Sequence, residues 1–157
     1  MKPVLALFIG LFLFSAQLGT VNAADIQSSN VKDIKEFNLT QYQGKVIYLD
    51  FWASWCKPCQ KSFPWMNELQ EKYPSDQFEV VTINLDKKAS NMDEFLKNIP
   101  ANFTIYHDAS GEIARQFKLP GMPTSFILDK QGKVVKKHVG FYSKIIPEIE
   151  NDIQSLM

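Results

Sequence analysis

The sequence predicts an α/β fold with a mixed central sheet, and three observations carry that expectation. "KVIYLDFW" (residues 45–52) is a nearly continuous apolar run that reads as a strand buried on both faces, and "FEVVTINL" (residues 78–85) reads as a second buried strand. Each is followed by a stretch in which apolar residues recur at helical spacing. Near the C-terminus, "PTSFILD" and "KVVKKHVG" are two strand-like segments separated by Lys130-Gln131-Gly132, a hairpin signal. The resulting order, β-α-β-α-β-α-β-β-α, implies parallel strands joined by crossover helices and closed by an antiparallel hairpin.

Taken in order, residues 24–35 are polar and read as a loosely held lead-in. The first helix is expected from Pro58 to about Tyr73, with Phe63, Met66, Leu69 and Tyr73 at steps of three and four. Pro64 lies inside it and is expected to kink it, because proline lacks an N–H and crowds the preceding turn. Tyr73-Pro74 ends it. An extra helix after the second buried strand, residues 90–99, is expected to be capped by Ser90-Asn91 and to bury Met92, Phe95, Leu96 and Ile99. A short strand at 103–106 and a short helix at 112–117 follow. The tail, 144–156, reads as an amphipathic helix with Ile145, Ile146, Ile149 and Ile153 on one side.

Composition narrows the function classes. The 157 residues are 45% hydrophobic and 22% charged, which suits one globular domain and excludes a disordered chain. Lys+Arg and Asp+Glu both number 17, so no basic surplus argues for a nucleic-acid partner. At the N-terminus, Lys2 precedes the apolar run "VLALFIGLFLF", and small residues follow up to "VNAAD". This is the pattern of a signal peptide over residues 1–23, cut after Ala23, with a domain over 24–157. The alternative is an uncleaved anchor, although the run falls short of the roughly 20 residues a spanning helix needs. The expected location is therefore the periplasm or another extracytoplasmic space.

Against that setting the two cysteines stand out. Cys56 and Cys59 lie in "FWASWCKPCQ", and the loop they close is too short to constrain much of an unfolded chain. A zinc site wants about four ligands, and only His107 and His138 are on offer as companions. A reactive dithiol is the reading that remains. Cys56 sits where a strand gives way to a helix, and the unpaired N–H groups and dipole of a helix N-terminus favour a thiolate. Lys57 adds positive charge, and Pro58 is tolerated in a first turn. Cys59, one turn in, is placed to attack a mixed disulfide formed at Cys56. No metal and no cofactor are called for.

"FWASWCKPC", with Pro64 five residues after Cys59, resembles the thioredoxin superfamily. "GKVIYLDFWASWCKPC", the extra helix, "LPGMPTSFILD" and "GKVVKKHVG" resemble more narrowly its exported TlpA/ResA/DsbE-like branch, over roughly residues 43–140. The resemblance implies a three-layer thioredoxin-like sandwich and a monomeric thiol–disulfide oxidoreductase acting on protein disulfides. It makes Cys56 the attacking and Cys59 the resolving residue of a redox-active disulfide. Pro123 matches the superfamily's cis-proline, which presents the backbone of Met122 to an extended substrate. Trp55 matches the tryptophan that flanks the substrate groove, and Gly140 matches a position that leaves room for a partner's backbone. Asp50 sits in an otherwise apolar strand, where desolvation raises a carboxylate's pKa. It matches a buried aspartate thought to shuttle a proton for the resolving cysteine, and the alternative is a carboxylate at the strand's end paired with Lys61 or Lys45.

The direction of electron flow rests on the residues between the cysteines. Strong oxidants of the superfamily tend to carry histidine there, whereas Lys57-Pro58 resembles the reducing members. The expectation is a reductant that draws electrons from a membrane thiol donor and passes them to oxidised protein thiols. Cytochrome c maturation is one setting, although an acidic residue often found in that subtype after the second buried strand aligns with Lys87, beside Asp86. A disulfide oxidase or isomerase is the alternative, and a Cu(I)-binding metallochaperone is a rival from another class.

Overall fold

The computed structural model describes residues 30–157, so the expected signal peptide lies outside the described residues. Among them the strands are β1 (Val31–Asp33), β2 (Val46–Trp52), β3 (Phe78–Asn84), β4 (Thr104–His107), β5 (Thr124–Leu128) and β6 (Val134–Val139). The helices are α1 (Lys57–Lys72), α2 (Ala89–Asn98), α3 (Glu112–Gln116) and α4 (Ile146–Gln154). The strands form one sheet in the order β1-β4-β3-β2-β5-β6. The pairs β1–β4, β4–β3 and β3–β2 are parallel, and β5 and β6 continue the sheet antiparallel.

The centre of the sheet explains the apolar run of residues 45–52. All seven residues of β2 are buried, because β3 and β5 flank it in the sheet and helices cover both faces. Side chains alternate across the pleat. Val46, Tyr48 and Trp52 join a cluster with Phe63 and Met66 of α1, Phe95 of α2 and Ile149 of α4. Ile47, Leu49 and Phe51 meet the opposite cluster, which includes Val81, Ile83 and Phe126 with Phe117 and Leu39 packed against it. The result is the expected three-layer sandwich. Trp52 is its aromatic hub, with ring centroids 4.6 Å from Phe63 and 4.8 Å from Phe95, and its Nε1 donates to Thr82 Oγ1 at 3.1 Å.

Several local expectations need correction. The lead-in is not loose throughout: β1 pairs with β4, and a capping box in which Glu36 reaches back to the Asp33 N–H starts a 3-10 turn at Ile34–Glu36. A strand of three residues is too short to show a period. Helix α2 starts at Ala89, before Ser90-Asn91, with Lys88 as N-cap and no side-chain cap bond. Helix α1, by contrast, spans Lys57–Lys72 much as expected, with Pro64 inside it and exposed. The tail divides into a 3-10 turn at Ser143–Ile145 and α4, with Ile145, Ile149 and Ile153 buried.

Candidate active site

The site is built where β2 ends and α1 begins. Residues 53–56 make the connection, and Cys56 is the N-cap of α1 in extended conformation, accepting from the Cys59 N–H at 3.4 Å. Cys56 and Cys59 form a disulfide with Cα atoms 5.3 Å apart. Cys56 keeps 5% of its surface and Cys59 none, so only the Cys56 side of the pair reaches the surface. Lys57 is exposed and Pro58 lies in the first turn, where a missing N–H costs nothing.

Beneath the helix, Asp50 is 1% exposed and lies on the face of β2 shared by Tyr48 and Trp52, the face that α1 covers. Its Oδ2 has no hydrogen-bond partner among the described residues. Burial pushes its carboxyl well above the ordinary carboxylate range. Burial, and then the neighbouring Asp50 charge, likewise raise the Tyr48 hydroxyl. The alternative partners for Asp50 fall away. Asp50 is mid-strand, not at the strand's end, Lys45 pairs with Glu79 at 2.8 Å, and Lys61 is exposed on α1.

Met122-Pro123 is a cis peptide, as the motif implied. Met122 packs against the cluster that holds both cysteines, and it shares a cleft of about 610 Å3 with Trp55, which is 66% exposed. Gly140 adopts φ +82° and donates its N–H to the Pro123 carbonyl at 2.8 Å. A left-handed backbone thus accounts for the glycine. His107 and His138 do not join the cysteines: the His107 ring meets the Asp86 carbonyl at 2.7 Å, and His138 faces Asp152 at 3.4 Å.

The sequence reading missed how the loop before Cys56 is held. Asp86 is 1% exposed and accepts from the Ser54 N–H at 2.9 Å, the Ser54 hydroxyl at 2.8 Å and Asn84 Nδ2 at 2.8 Å. Gln60 Nε2 reaches back to the Ser54 carbonyl at 3.0 Å, and the Ser62 hydroxyl donates to the Cys59 carbonyl at 2.8 Å. The signal available was a lone carboxylate directly after a buried strand, beside an active-site turn. Its neighbour Lys87 turns outward and donates to the Ala109 carbonyl at 2.9 Å.

A Cys-x-x-Cys disulfide at a strand-to-helix junction and a cis-proline just before the neighbouring strand, set in this mixed sheet, define a protein of the thioredoxin superfamily. The chain belongs to the Redoxin family, which it matches over residues 21–153, and its nearer likenesses are TlpA/ResA/DsbE-like. It is 36% identical to the thiol-disulfide oxidoreductase ResA of Bacillus thuringiensis subsp. konkukian over 110 residues. That alignment covers 70% of this chain and spans 64% of the Bacillus protein's length. Among solved structures, a Chlorobium tepidum protein assigned as thiol:disulfide interchange protein DsbE is 47% identical with a TM-score of 0.73, covering 75% of this chain and 84% of that one. The exposed lipoprotein thioredoxin Etrx1 of Streptococcus pneumoniae is 30% identical with a TM-score of 0.66, over 76% of this chain and 91% of its own.

Proposed function

We propose that the protein is an exported thiol–disulfide oxidoreductase that works as a reductant of protein disulfides. The observation that supports it best is the Cys56–Cys59 pair at the N-terminus of α1, with Asp50, whose Oδ2 has no partner among the described residues, buried beneath the same helix. In the reduced protein the Cys56 thiolate attacks one sulfur of a substrate disulfide. A mixed disulfide forms and the other substrate sulfur leaves as a thiolate. Asp50 accepts the proton of Cys59, the Cys59 thiolate attacks Cys56 Sγ, and the second substrate sulfur departs. Two electrons have then passed to the substrate, and the dithiol has become the disulfide described above.

A reducing direction is supported by Lys57-Pro58, which places no histidine between the cysteines. Export is supported by the N-terminal apolar run and by likeness to proteins such as the exposed lipoprotein of S. pneumoniae. The donor is a membrane thiol reductant, and the substrates are oxidised cysteine pairs of exported proteins, apocytochrome c among them. Equilibration with glutathione redox buffers tests the direction. The expected reduction potential is near thioredoxin's, about −270 mV, and a value near the roughly −120 mV of a strong oxidase overturns it.

A further inference from the structure

The cleft beside the dithiol is asymmetric in a way that the exchange chemistry does not require. Trp55, next to Cys56, and Met122, next to Pro123, line it together with the apolar Leu85, Ala114 and Leu119. Its charged lining is entirely cationic: Arg115 and Lys118 line it, and no Asp or Glu does. Both are exposed, and neither has a carboxylate partner among the described residues.

The wall that carries these cations is held in place. Asp108, fully buried, accepts from the Glu112 N–H at 3.0 Å and the Ile113 N–H at 2.9 Å, fixing the start of α3. Arg115 Nη1 donates to the Ser110 carbonyl at 2.8 Å. Lys118 adopts φ +50° just past the helix, a conformation glycine takes without strain and a lysine does not. A cation therefore lines the cleft at a position whose backbone favours glycine.

We propose that this cleft selects its substrate: an extended polypeptide with a bulky apolar side chain within two residues of the disulfide cysteine and carboxylates just beyond it. The inference rests on the reductase reading and adds the class of protein segment reduced. The apolar side chain enters between Trp55, Leu119 and Met122 and leaves water, which is favourable in proportion to the area buried. The carboxylates meet Arg115 and Lys118, which speeds encounter and disfavours cationic segments. The chemistry is unchanged. Cys56 bonds to the peptide sulfur, the sulfur's former partner leaves as a thiolate, and Cys59 then displaces the peptide thiolate while the enzyme's own disulfide forms.

The test uses cysteine peptides capped as mixed disulfides with thionitrobenzoate, whose release by reduced wild-type protein is followed by absorbance. One peptide carries Leu or Phe beside the cysteine and Glu beyond; a second carries Gly and Lys; a third carries Gly and Ser throughout. The first is expected to exceed the second by about ten-fold or more in kcat/KM, and the charge-dependent part is expected to shrink as salt is raised. Arg115→Gln with Lys118→Gln is expected to remove most of the Glu-over-Lys preference while the apolar preference stays. Equal rates on all three peptides would overturn the inference while leaving the reductase reading intact. Failure to reduce even the Gly/Ser peptide would instead sink that reading, and this inference with it.

Discussion

At the scale of single residues, Asp50 carries the most chemistry. Its carboxyl lies under α1 with one oxygen unpartnered, and burial raises its pKa above that of an unfolded-chain aspartate. Between those two values the folded protein holds a proton that the unfolded chain lacks. Stability from this group is present at low pH and is lost as pH rises through that window, by up to roughly 1.4 kcal/mol per pH unit. Asp50→Asn should flatten the pH dependence and be the more stable form at the alkaline end, as read by urea unfolding at a series of pH values. If Asp50 takes the Cys59 proton, the same variant should also slow mixed-disulfide resolution, most at the pH where the wild-type carboxylate is ionised. An unchanged resolution rate at every pH rules out the proton-acceptor role. Asp50 was legible in the sequence because a carboxylate interrupts an apolar strand. Asp86 left only a lone carboxylate after a buried strand as its trace, because its three donors come from Ser54 and Asn84, and contacts across a loop leave no periodic pattern.

At the scale of elements, the well-read pieces are those whose burial imposes a pattern. Strand β2 is enclosed by neighbours and helices and is apolar at every position but Asp50, while buried β3 keeps Val80, Val81 and Ile83 apolar between polar Glu79, Thr82 and Asn84. Helices α1, α2 and α4 bury one stripe each and show the corresponding spacing. Strand β1 and the start of α2 escaped notice for the opposite reason. β1 is held by backbone pairing to β4, and α2 begins without a side-chain cap. Helix α3 depends on a residue outside it. The Asp108 carboxylate caps the backbone N–H groups of Glu112, Ile113 and Ala114 and binds the Ser110 hydroxyl. Asp108→Ala should therefore cost about 2 kcal/mol or more, since it removes the cap and leaves donors unpaired. Amide hydrogen exchange should localise the loosening to α3 and the cleft wall, and unchanged protection there would show that the cap is dispensable.

At the scale of the whole molecule, the sheet order β1-β4-β3-β2-β5-β6 brings distant segments to one edge. β2 delivers Asp50 and leads into the dithiol, β3 leads into Asp86, and the turn before β5 supplies Met122 and Pro123. The motifs named these residues one at a time, and only the topology shows why they meet. The wall of the cleft, from Ala114 to Leu119, could not be anticipated, because no local pattern links a short helix to a tryptophan about sixty residues earlier. The account stands or falls on thiol exchange at Cys56, and substrate trapping tests it most directly. Cys59→Ser, expressed in the cells that make the protein, should accumulate mixed disulfides through Cys56 that dissolve on reduction and are missing when Cys56 is also serine. No reducible adducts in the single variant, or adducts that persist without Cys56, would contradict it.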